Sequence, residues 1–222
     1  MKLHEDNDEF RAAVTAAAAK LKLPEHVVEK DYWVTQLLQN LSRYKHHQYV
    51  IFKGGTCLSK GHKLISRFSE DIDLALDDKG IGIIAKRKND VLHTITREIV
   101  DDSFTNVKEE QESEKFRYKR VYEFQQNFDY PEDSPIHGKV VLEVNSFATP
   151  SPFEDVEITS FVGEHLERES GADVLAELDM EPFIVKALVP ERTFCEKILA
   201  LRRASHRVCV FLTCGTKWDF LS

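Results

Sequence analysis

The segment Phe52-Lys53-Gly54-Gly55-Thr56-Cys57-Leu58-Ser59-Lys60, followed by Arg67-Phe68-Ser69-Glu70-Asp71-Ile72-Asp73-Leu74, constrains the chain more than any other. It reads as an apolar strand, a two-glycine turn, a helix and a strand carrying two acids two residues apart. Side chains alternate along a strand, so Asp71 and Asp73 share a face while Ile72, Leu74 and Leu76 take the face that can be buried. Adjacent carboxylates on a stiff element repel unless a cation lies between them, and a hard divalent ion, Mg²⁺ or Mn²⁺, suits oxygen ligands and bridges to phosphates. Glycines let the backbone approach a ligand and turn its N–H groups toward an anion. Acids for a metal beside donors for phosphate suggest transfer chemistry on a nucleoside triphosphate.

The motif has the form of the nucleotidyltransferase superfamily, a Gly-Gly turn followed by Asp-x-Asp. Its wording resembles, more narrowly, the AbiEii/AbiGii toxin family of type IV toxin–antitoxin and abortive-infection (phage-defence) systems. Three further segments fit that family: Lys30-Asp31-Tyr32-Trp33-Val34-Thr35-Gln36-Leu37-Leu38, Val141-Leu142-Glu143-Val144-Asn145 and Pro190-Glu191-Arg192-Thr193-Phe194-Cys195-Glu196-Lys197-Ile198-Leu199. The resemblance runs from about Lys30 to about Leu201. It implies an NTP-dependent enzyme, a tRNA 3′ end as one acceptor, and a cognate antitoxin that need not bind the toxin directly.

Composition agrees with a globular enzyme. An apolar share of 42% over 222 residues supplies an ample core. No apolar run approaches the roughly 18 residues that span a bilayer, and the acidic start, Met1 to Phe10, is unlike a secretory signal. Cys57, Cys195, Cys209 and Cys214 lack Cys-x-x-Cys spacing, so neither zinc nor a disulfide framework is expected. A cytoplasmic protein with reduced thiols follows. The net charge of −8 disfavours broad nucleic-acid binding, yet leaves room for local basic patches: Lys115, Arg117, Lys119 and Arg120, or Arg202, Arg203 and Arg207. Each patch taken alone reads first as a solvated face.

Pattern and propensity give an α/β (α+β) layout, a mixed sheet flanked by helices. Helices are expected over 8–21, 24–41, 56–65, 81–100 and 191–204, with strands over 49–52, 69–76, 104–107, 116–124 and 139–147. Residues 158–178 read as mixed and mostly helical, and 183–188 as a strand or tight connection. The expected division is a nucleotidyltransferase-like core over 1–152 and a smaller, mainly helical region over 153–222.

Candidate site residues follow. Asp71 and Asp73 are metal ligands, or a pair of exposed strand acids. Glu143 is the third candidate ligand, since alternation in Lys139–Ser146 puts an acid in an apolar strand, where it needs a partner. That partner is a metal, or a strand lysine or arginine; in the superfamily the third acid also serves as general base. Lys53, Gly54 and Gly55 form a phosphate-binding turn, or the glycines form only a tight turn. Thr56 donates to phosphate or caps the following helix, Ser59 is a second hydroxyl donor, and Lys60 reaches a phosphate or sits at the surface. Arg67 holds phosphate or pairs with Glu70, and Ser69 shares the face of Asp71 and Asp73. The family motif maps onto Arg192, Thr193, Glu196 and Lys197, and implies a phosphate-binding Lys197, which reads otherwise as part of an ordinary helix salt bridge; Phe194, Ile198 and Leu201 make that helix's apolar stripe, expected to face the core. Asp219, the one acid after Glu196, stands in for the family's late aspartate or belongs to a divergent end. Transfer to a protein or small-molecule hydroxyl, and a catalytically silent nucleotide-binding regulator, stand as alternatives.

Overall fold

The computed structural model describes residues 1–66, 69 and 71–214, with side chains as far as Arg202. Its centre is one mixed eight-stranded sheet of order β3-β5-β6-β2-β1-β8-β7, with β4 paired to β5. The strands are β1 (Val50–Lys53), β2 (Asp71–Leu76), β3 (Phe104–Asn106), β4 (Glu112–Glu114), β5 (Arg117–Phe124), β6 (Lys139–Asn145), β7 (Phe153–Ile158) and β8 (Phe183–Leu188). Pairing is parallel for β1 with β8 and for β2 with β6, and antiparallel elsewhere.

The helices follow from local signals. In α1 (Asn7–Leu21) the Asp6 carboxylate accepts from the N–H groups of Asp8 and Glu9, and Phe10, Ala13, Val14 and Ala17 form the buried stripe. Pro24 precedes α2 (Glu25–Arg43), which is buried on nearly every side and is the central helix of the core. Its Trp33 stacks on Phe124 and meets Phe104 edge-on. The apolar alternates of the strands, Ile72, Leu74, Leu142 and Val144, are buried. Tyr122 lies on the same sheet face as Val140, its register partner, and donates its hydroxyl proton to Thr96 O of α4 (Lys88–Glu98). The opposite face carries the acids.

Several expected boundaries move. The helix expected over 56–65 is a single turn, α3 (Gly54–Thr56), followed by a π-turn over Cys57–Gly61; Lys63 then takes positive φ, which ends the helical path. The helix expected from Ile81 starts only at Lys88: Gly82 has a φ of 73°, Ile84 is extended, and a 3₁₀ turn over Ala85–Arg87 leads into it. β4 and β7 were not anticipated. Both are rich in glutamate, and β7 buries only Val156 and Ile158. Residues 153–188 do contain helices, α5 (Phe161–Ser170) and α6 (Ala172–Glu177), but β7 and β8 extend the same sheet past β1. Finally α7 (Pro190–Cys214) leaves β8.

Candidate active site

Register builds the site. Asp73 on β2 is the Cα partner of Lys53 on β1 and of Glu143 on β6, and Glu143 is in turn the partner of Lys119 on β5. Directly paired residues point to one face with Cβ atoms about 5 Å apart. One row across four strands therefore reads Lys53, Asp73, Glu143, Lys119, with Asp71 two residues along β2. Burial pushes the Asp73 carboxyl up to about 6; the charges of Glu143 and Asp71 add to this, and those of Lys53 and Lys197 oppose it. Lys197 of α7 thus belongs to the same electrostatic neighbourhood.

Gly54 fits this centre by having no side chain. Its φ is +81°, and a Cβ there would fall 2.0 Å from Asp73 Oδ2. Only glycine tolerates both constraints. The turn is locked further by Thr56, whose hydroxyl donates to Asp71 O. Across the row Lys53 Nζ lies 3.5 Å from Glu196 of α7, and Arg192 Nε approaches Glu196 Oε1 at 3.4 Å without hydrogen-bond geometry. This lattice ties α7 to the mouth of the acidic strands.

The family model for the nucleotidyl transferase AbiEii toxin of type IV toxin–antitoxin systems matches residues 36–208. The chain belongs to this family. Comparison with curated proteins gives no match. Among the described residues, no helix is long and apolar enough to cross a membrane.

In this AbiEii chain the candidate residues fall into two groups. Lys53, Gly54, Gly55, Asp71, Asp73, Glu143, Arg192 and Lys197 gather around the acidic row. Thr56, Ser59, Lys60 and Ser69 instead line a cavity of ≈250 Å³ that also borders α2. Ser69 precedes β2, so strand alternation does not fix its direction. Ser59 donates to the carbonyls of Gly55 and Thr56 within its own turn. Lys60 is not at the surface. It forms an ion pair of 2.6 Å with Asp31, their side chains being 8% and 5% exposed. Asp31 was read only as part of a family segment; its other oxygen accepts from Phe161 N at 2.8 Å, capping α5.

Glu143 is engaged by protein. Its Oε2 accepts from Arg117 Nη2 at 2.8 Å and its Oε1 from Asn145 Nδ2 at 3.4 Å. Among the described residues no three His, Cys, Asp or Glu side chains form a ready-made metal cluster. In the basic segment, Arg117 and Lys119 both pair with Glu112, Arg120 donates to backbone oxygens and Ser113 Oγ, and Lys115 lies over the Phe116 ring. Phe194, Ile198 and Leu201 correct the expectation for α7, being 64%, 48% and 70% exposed. The helix docks through Thr193 and the Glu196–Lys53 contact, on a different face from that stripe. Arg67, Asp219 and the side chains of Arg203 and Arg207 lie outside the described residues.

Proposed function

We propose that this chain transfers a nucleotide from an NTP to an acceptor hydroxyl with a divalent ion, Mg²⁺ or Mn²⁺. The observation that carries the reading is the convergence of Asp71, Asp73 and Lys197 on the turn whose Gly54 leaves room for Asp73. The residues fit an ion: the donors are hard oxygens, and the Asp73 carboxyl is raised first by burial and further by the charges of Glu143 and Asp71, against those of Lys53 and Lys197. Asp71 and Asp73 would hold the ion. When bound, it would polarise the α-phosphate and offset charge developing on the leaving pyrophosphate. Lys197, Lys53 and the Gly54–Gly55 N–H groups would hold the remaining phosphate oxygens, with Arg192 fixing Glu196 and through it Lys53. Orientation and fixed charge supply the rate in such a site.

The acceptor is proposed to be an RNA 3′ hydroxyl, as the family's tRNA-directed members suggest. One observation favours a second reading. Arg117 and Lys119 of β5 are already paired with glutamates and Arg120 is turned to backbone oxygens and Ser113 Oγ, an arrangement that offers little open positive charge to a polyanion and suits a protein or small-molecule hydroxyl. Incubation with Mg²⁺, each NTP labelled at the α-phosphate and total bacterial tRNA separates these, with Asp71→Asn/Asp73→Asn as control. Label on RNA with the wild type alone supports the first reading, and label on polypeptide the second. NTP binding without any transfer would leave the silent nucleotide-binding regulator.

A further inference from the structure

The pairing of Glu143 supports an inference that rests on the metal reading above. Three glutamates surround one guanidinium. Arg117 lies 2.8 Å from Glu143, 3.2 Å from Glu112 and 3.6 Å from Glu114. Glu112 also meets Lys119 at 3.2 Å. Glu112 and Glu114 both come from β4, whose register sets Glu114 opposite Arg117 itself. The guanidinium therefore keeps two carboxylate partners if Glu143 turns away. Glu143, paired in register with Asp73, has only a short distance to travel. It needs a second cation to leave Arg117, because a half-buried carboxylate without a partner is costly.

We propose that Arg117 is an internal counter-ion that holds Glu143 off the metal site, and that Glu112 and Glu114 of β4 retain Arg117 when Glu143 swings to a metal held by Asp71 and Asp73. Arg117 is on this view a positioning residue: it keeps the nucleotide-free centre at two carboxylates and makes the third conditional on enough positive charge arriving.

The test is Mn²⁺ titration of the full chain, followed by electron paramagnetic resonance, without nucleotide. Arg117→Ala is expected to bind Mn²⁺ about fivefold more tightly than wild type, the size of a part-exposed ion pair. Glu143→Gln alone is expected to bind Mn²⁺ no more tightly than wild type, while Arg117→Ala/Glu143→Gln loses the gain. Lys119→Ala, which removes the same charge from the neighbouring position, is expected to give no comparable gain. Equal tightening by Lys119→Ala, a gain that survives in the double variant, or no gain in Arg117→Ala would each overturn the proposal. Arg117→Gln serves in the same cycle if the alanine variant fails to fold by circular dichroism. Failure of the metal reading looks different: wild type would bind no Mn²⁺ with or without ATP, Asp71→Asn would change nothing, and both ideas would fall together.

Discussion

At the scale of single residues, Asp73 sets its proposed metal-binding role against stability. Its folded pKa, about 6, lies above the ordinary carboxyl value of 3.8. The folded state then binds more protons than the unfolded chain between those values, so this group's contribution falls as pH rises through that window and stays low above it. Asp73→Asn is expected to stabilise the metal-free protein by about 1–3 kcal/mol near pH 7 and by almost nothing near pH 4, while abolishing transfer. Urea denaturation at the two pH values checks the sign; equal effects at both would show that the acid is not strained by its surroundings. Gly54→Ala acts at the same point by collision. Its Cβ, 2.0 Å from Asp73 Oδ2 on a backbone with φ of +81°, should lower kcat/KM by about a hundredfold or more and cost about 1–3 kcal/mol. Steady-state kinetics beside a thermal melt would detect either loss.

At the scale of elements, α2 connects the turn to the rest of the core. Asp31 joins the π-turn through Lys60 and the start of α5 through Phe161 N, while the adjacent Lys30 donates to His137 O and Lys139 O ahead of and within β6. Two consecutive charges thus reach three separate segments from one helix. Asp31→Ala leaves a buried ammonium without its partner and is expected to cost about 3–5 kcal/mol, with the Asp31→Ala/Lys60→Met double variant recovering much of it. Chemical denaturation of both measures the coupling, and a double variant no better than the single would sink the idea of a stranded charge. The element scale also shows where pattern reading succeeds and fails. Val27, Val28, Tyr32, Leu37, Leu38 and Leu41 repeat at helical spacing and are all buried, so α2 was legible. β7 was not, because Phe-Glu-Asp-Val-Glu-Ile buries only two of six side chains at the sheet edge, and its strand state comes from hydrogen bonding to β8 rather than from its own pattern.

At the scale of the whole molecule, the sheet continues into the segment that follows Pro152, the position of the expected division. β8 pairs with β1 at Ala187 and Phe52, and β7 closes that edge. A chain cut after Pro152 is therefore expected to lose cooperative unfolding, since Phe52 and the α1–α2 layer lose β8 and α5; a sharp thermal transition in that fragment would refute this. The sequence by itself determined the chemistry on offer. Two acids at strand spacing, a glycine pair before them and the family wording are local facts, and local spacing dictates which side chains share a face. It also marked Glu143 as an acid in need of a partner. Which partner it has was decided only by tertiary structure, because β5 meets β6 in a register that sets Lys119 opposite Glu143 and brings Arg117 within reach. The same holds for Lys60, whose Asp31 partner lies 29 positions earlier in the chain. A charge reveals in sequence that it must be compensated; the choice among compensating groups depends on distances that exist only once the strands and helices have packed.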